Sequence, residues 1–172
     1  LIRSKESIVP KKIDVNAAPS VAGAAYPSPY DQPCAGRFRR RLGDVSGLTQ
    51  FGVNLTRLPP GCWSSQRHWH TGEDEFVFIV AGEVVLVTDS GEEVLRQGDC
   101  AGFKAGSADG HHLQNRSAKD ALVLEVGTRQ PDQDAVFYPD IDLQIGKGRA
   151  GYLHNDGTPY AGTKPRNPGE AK

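Results

Sequence analysis

The chain has 172 residues, among them 20 glycines, 12 prolines and no methionine. That length supports one domain with a real core, and so many turn formers exclude a long helical bundle. Twenty basic residues against 21 acidic ones leave a formal net charge of -1, so no broad electrostatic attraction draws the chain to nucleic acid or to an anionic membrane. The most apolar stretches, residues 76–81 and 121–126, are far shorter than the roughly 20 residues of a membrane-spanning helix. The N-terminal LIRSKESIVP has no apolar signal core. Cys34, Cys62 and Cys100 cannot all pair and form no CxxC, so reduced thiols and a cytoplasmic location are expected.

Residues 1–36 are rich in Ala, Pro, Ser and Gly without sustained period and read as an extended N-terminal arm. Within it and at its end stand Cys34 and the basic run Arg37, Phe38, Arg39, Arg40, Arg41. Those charges either anchor an acidic or phosphorylated ligand or form a solvated edge strand that discourages aggregation. Residues 37–130 read as an all-β barrel. Short runs rich in Val, Phe, Leu and Thr succeed one another: FGVNLTRL, FVFIVAG, EVVLVTDSG, EEVLRQGD, CAGFKAG, HHLQNRS and ALVLEVG. Each has the length of a strand and none that of a helix. Asp89-Ser90-Gly91 signals a tight hairpin, and Ala81-Gly82 reads as a corner of the same kind. Spacing near ten residues between corners suggests a sandwich or closed barrel. Residues 131–172 lose this rhythm and read as a tail that packs loosely on the barrel and ends disordered.

The chemistry concentrates at His68-Trp69-His70, followed by Glu75. Residues two apart on a strand share a face, so His68 and His70 present both imidazoles to one space. Two imidazoles and a carboxylate suit a divalent transition metal. The turn from Thr71 to Asp74 folds Glu75 back beside the histidines, and Glu73 and Asp74 are weaker alternatives to Glu75 that read first as solvated turn residues. Some forty residues later His111 and His112 offer a further imidazole from across the barrel.

The segment GCWSSQRHWHTGEDEFVFIVAG, residues 61–82, resembles the first motif of the cupin superfamily in His68, His70, Glu75 and Gly82. The gap from Gly61 to His68 is one residue longer than usual. GDCAGFKAGSADGHHLQN, residues 98–115, resembles the second motif in Gly98, Asp99, Gly106, His111 and Asn115. Lys104 stands where the motif usually has proline, and two extra residues precede His111. The resemblance covers roughly residues 50–127 and extends to a group of small single-domain cupins. It implies a conserved-barrel fold, the double-stranded β-helix or jelly roll, flanked here by irregular arms. It implies one divalent transition metal (Fe, Mn, Ni, Co or Zn) held by His68, His70, Glu75 and His111, with His112 as the alternative fourth ligand.

An open metal site of this kind implies an enzyme acting on a small polar metabolite, by isomerase or lyase enolisation or by dioxygenase chemistry. A non-catalytic sensor or storage module that binds a small molecule is the alternative. Ser64 and Gln66 share strand parity with His68 and would line the same cavity. Trp69 faces the other way, Asn115 bonds at a strand end, Cys62 and Cys100 are small core residues, and Glu125 and Arg129 pair or line the barrel end. Tyr138 and Tyr152 either lid the cavity or, the commoner role, pack in the tail, and His154 lies at the surface. No catalytic base stands out. A homodimer is expected, with N-terminal strands reaching across to the partner.

Overall fold

The computed structural model describes residues 12–149 and 151–161. Runs of alternating burial produce its strands. In chain order these are β1 (Ser20–Ala22), β2 (Phe38–Arg41), β3 (Phe51–Leu58), β4 (Trp69–His70), β5 (Glu75–Ala81), β6 (Glu83–Thr88), β7 (Gly91–Arg96), β8 (Cys100–Phe103), β9 (His112–Gln114), β10 (Ala121–Thr128), β11 (Val136–Tyr138), β12 (Leu143–Ile145) and β13 (Tyr152–Leu153). One helical turn, α1 (Leu42–Val45), follows β2. No helix among the described residues is long and apolar enough to cross a membrane.

Six strands form the main sheet in the order β1-β2-β3-β10-β5-β8, and β7-β6-β9 form a smaller sheet. Leu58, Val77, Ile79 and Val123 from the first sheet meet Val84, Leu86, Leu95 and Leu113 from the second in one buried cluster. This is the all-β barrel expected from the apolar runs. The Asp89-Ser90 corner is a two-residue hairpin, with Thr88 opposite Gly91 on β6 and β7. Ala81-Gly82, by contrast, is no hairpin, because β5 and β6 belong to different sheets. Gly82 has φ +78, and a Cβ there would stand 2.7 Å from the Asp120 carbonyl oxygen. Only glycine lets the chain pass this close to its neighbour while changing sheets.

The stretch after Arg129 differs from a loosely packed tail. β11, β12 and β13 join β4 in a four-stranded sheet, and Val136, Tyr138, Leu143, Ile145 and Tyr152 form a second buried cluster, against which Tyr26 of the arm packs. The sequence shows no period here because each strand has only two or three residues, too few for alternation to appear. The expected disorder of the chain's end concerns residues 162–172, outside the described residues.

The basic run is not a solvated edge either. β2 lies between β1 and β3, with Arg40 opposite both Ser20 and Leu55. Phe38 and Arg40 therefore turn outward, while Arg39 turns inward opposite Thr56, and Arg37 just before the strand is buried. Cys62 is buried as expected, whereas Cys100 is exposed.

Candidate metal centre

Antiparallel pairing carries the motif residues to one end of the barrel interior. His68 bridges to His111, β4 presents His70, and β5 begins at Glu75 opposite Phe103 of β8. One carboxylate oxygen, Glu75 Oε2, lies 3.4 Å from His68 Nε2, 3.5 Å from His70 Nε2 and 3.0 Å from His111 Nε2. His68, His70 and Glu75 bring donor atoms within 4.8 Å of one another. His111 joins them through Glu75.

The outward ring nitrogens decide what the inward ones can do. His68 Nδ1 donates to the Gln66 carbonyl at 2.9 Å, and His70 Nδ1 donates to Asp134 Oδ2 at 2.7 Å. Each bond fixes the tautomer that leaves Nε2 with a lone pair toward the centre. Burial lowers the His68 pKa to about 4, against the Glu75 carboxylate that raises it. A neutral imidazole lone pair facing a carboxylate oxygen is repulsive unless a cation stands between them. Three imidazoles and one carboxylate so arranged fit a divalent transition ion.

Aromatic rings hold the imidazoles in plane. Phe103 stacks on His111 with centroids 3.5 Å apart, and Tyr138 stacks on His68 at 5.7 Å. Tyr138 thus lines the cavity as well as packing in the second cluster. Trp69 points to the opposite face and stacks on Phe137.

His112 has the other strand parity. Its Nδ1 donates to the Ser65 carbonyl at 3.0 Å and its Nε2 accepts from the Gln114 amide at 2.9 Å. It lines the same cavity, but with both nitrogens engaged it offers no lone pair to the Glu75 cluster. Ser64 does line the cavity, its Oγ accepting the Leu113 N–H. Gln66 does not. The chain from 64 to 67 bends instead of continuing as a strand, and the Gln66 amide donates to the Tyr30 carbonyl of the arm at 2.7 Å.

Glu73 is 1% exposed and accepts the Gln130 N–H through Oε1, so it is no solvated turn residue, while Asp74 is exposed. Glu125 and Arg129 do not pair with each other. Glu125 meets Arg39, and Arg129 meets Asp44. Asn115 bonds the Leu58 and Lys119 carbonyls at the end of β9. His154 lies outside the cavity, paired with Asp142 and stacked on Tyr160.

Asp134 is the residue that sequence reasoning missed. It is 1% exposed, accepts from His70 Nδ1 and the Gly72 N–H, and lies within reach of Glu73 and His70 as a second cluster of potential donors. It is 64 residues from its histidine, in a segment without visible pattern.

A cupin domain profile matches residues 54–127. No curated protein matches the chain. Among solved structures, a sugar phosphate isomerase of the cupin superfamily from Silicibacter pomeroyi is 42% identical, with a TM-score of 0.82 over 88% of this chain and 98% of that one. A provisionally named sugar phosphate isomerase from Acidithiobacillus ferrooxidans is 30% identical, with a TM-score of 0.64 over 70% and 77% of the two chains. The polyketide cyclase RemF from Streptomyces resistomycificus, 16% identical with a TM-score of 0.57 over 71% and 81% of the two chains, shares the fold.

Proposed function

The chain belongs to the cupin superfamily, and we propose that it is a metal-dependent isomerase acting on a small hydroxylated carbonyl compound. The observation that carries this reading is the convergence of three imidazole Nε2 atoms on Glu75 Oε2, at 3.0 to 3.5 Å. The similarity to two proteins named as sugar phosphate isomerases supports isomerase chemistry over the dioxygenase alternative.

His68, His70, Glu75 and His111 would hold the ion, one of Fe, Mn, Ni, Co or Zn. A divalent ion there supplies Lewis-acid polarisation of a carbonyl oxygen, which acidifies the adjacent carbon. The chain's own residues do the rest. Asp134 and the Gln66 carbonyl orient two imidazoles, and the rings of Phe103 and Tyr138 cover two of them. The cavity beyond is lined by apolar Val77 and Leu113 and by polar Arg39, Asn54 and Glu125. Apolar and polar walls together position a small polar molecule and exclude bulk water from one side of it.

The reading extends to assembly and setting. On the outer face of the main sheet Val126 pairs with Val53 and Phe76, and Leu124 with Leu55 and Phe78, six adjacent apolar side chains with Arg40 at their edge beyond Leu55. Phe76 and Phe78 are exposed. A second copy bearing the same face is its simplest complement, since a two-fold interface joins identical patches. This supports a homodimer. Three free thiols support a cytoplasmic setting.

The test is solvent exchange in deuterium oxide. Protein loaded with each divalent ion is incubated with aldose and ketose sugars and their phosphates, and NMR follows deuterium entering the carbon beside the carbonyl. Deuterium uptake with interconversion and no oxygen consumption is expected. Stoichiometric oxygen consumption, or no exchange with any ion while a ligand still binds, would overturn the reading in favour of a dioxygenase or a binding module respectively.

A further inference from the structure

We propose that the cavity wall formed by Arg37, Arg39, Asn54 and Glu125 is a binding subsite for an anionic group, phosphate or carboxylate, on a hydroxylated small molecule. The proposal rests on the metal-centre reading above and names the substrate class.

The register builds the wall. Gly127 on β10 lies opposite Glu75, and Glu125, two residues along the same strand and on the same face, lies opposite Asn54 and Val77. Two residues of strand span about 7 Å, so Glu125 and Asn54 form the next row beneath the histidine cluster. Arg39 reaches into this row from β2, with Nη2 2.9 Å from Glu125 Oε2 and Nε donating to Thr56 Oγ1 at 3.3 Å. Those contacts use two of the five N–H donors of a guanidinium. Arg37 also lines the cavity. It donates through Nη1 to the Ser64 carbonyl and through Nε and Nη2 to the Gly23 carbonyl, and makes no ion pair among the described residues.

The wall therefore holds one buried guanidinium, Arg37, one half-buried guanidinium, Arg39, and one carboxylate. Glu75 is the other carboxylate lining the cavity and belongs to the metal centre, while Glu73 and Asp134 lie behind His70, outside this lining. Buried charge without a partner is costly, and an anion entering the cavity removes that cost. A second observation points the same way. Asn54 is 3% exposed and lines the cavity, yet its Oδ1 has no hydrogen-bond partner among the described residues. A buried acceptor left unmatched is uncommon, and a ligand hydroxyl beside the anionic group would satisfy it. A neutral sugar would match Asn54 but leave the surplus guanidinium charge in place.

The test is calorimetry on manganese-loaded protein, with inorganic phosphate, a sugar phosphate, the corresponding sugar acid and the neutral sugar as probes. Both anionic sugars are expected to bind about tenfold or more tighter than the neutral one, in line with a charge-assisted hydrogen bond, and the tighter of the two identifies the anion. Arg39→Gln should weaken both about tenfold, Arg39→Lys should retain most of the affinity, and Glu125→Gln should tighten it. Relaxation of the bound phosphorus by manganese should place it outside the ion's own ligand sphere.

Equal affinity for neutral and anionic sugars overturns the subsite. So does affinity unchanged in both Arg39→Gln and Glu125→Gln, or phosphorus bound directly to the ion. If the protein takes up no manganese, the metal-centre reading fails by itself. Phosphate binding that still falls in Arg39→Gln and rises in Glu125→Gln would then uphold the anion subsite.

Discussion

A single carboxylate behind a histidine sets how well that histidine can act. Asp134 accepts the His70 Nδ1–H at 2.7 Å and also holds the Gly72 N–H, so it fixes the ring's tautomer, its plane and the turn that leads to Glu75. Replacing it with asparagine keeps the volume and loses the charge. Outer-shell partners of this kind contribute about 10- to 100-fold in metal affinity, and Asp134→Asn should lower affinity by that factor in a chelator-competition titration, with the far-UV spectrum unchanged. Unchanged affinity would show that Asp134 only braces the turn. The residue scale also marks how far a sequence can be read. His68, His70 and Glu75 were legible because the HxH spacing puts both imidazoles on one face. His111 and His112 are adjacent, and the choice between them turns on contacts with Ser65 and Glu75, which are distant in sequence, and with Gln114 on the same strand. Asp134 was illegible as a site residue for the same reason, since tertiary pairing alone brings it behind His70, whereas Arg39 was legible only as one member of a basic run with two readings, anion anchor or solvated edge.

At the scale of elements, the corner at Gly82 permits a matched comparison. Gly61 and Gly82 have almost the same backbone angle, φ +77 and +78, but a Cβ at Gly61 meets nothing within 4 Å while one at Gly82 meets the Asp120 carbonyl oxygen at 2.7 Å. Gly61→Ala should cost only the left-handed backbone penalty, about 1–2 kcal/mol. Gly82→Ala adds a clash with backbone and should cost about 2–4 kcal/mol, measured as the difference in urea unfolding. Equal losses at the two glycines would mean that the corner opens freely. The long strands β3, β5, β6 and β10 were readable as apolar runs because five or more residues give alternation room to appear. The strands from Val136 onward were not, since Pro139 and the acidic Asp140 and Asp142 interrupt the apolar residues that the second cluster buries. That cluster is more than padding. It holds Tyr138 against His68 and, through β11, holds β4 with His70 in place.

For the molecule as a whole, the apolar patch of Val53, Leu55, Phe76, Phe78, Leu124 and Val126 on the outer face of the main sheet calls for a cover. A homodimer through this face predicts a doubled mass by light scattering at micromolar concentration. Phe78→Lys together with Leu124→Lys should give a monomer whose metal content is unchanged, because the two face each other on the outer side of the sheet and neither lines the cavity. A wild-type monomer at that concentration would contradict the assembly. The metal itself is the claim on which the account rests, and the most direct measurement is elemental analysis after reconstitution with a divalent transition metal and removal of excess. The wild-type chain and His112→Ala should retain about one equivalent per chain, while His68→Ala and His111→Ala should retain far less, in keeping with the loss of one ligand from a four-ligand set. Wild-type protein that retains no metal, or metal retained in His68→Ala and His111→Ala but lost in His112→Ala, would contradict the centre described.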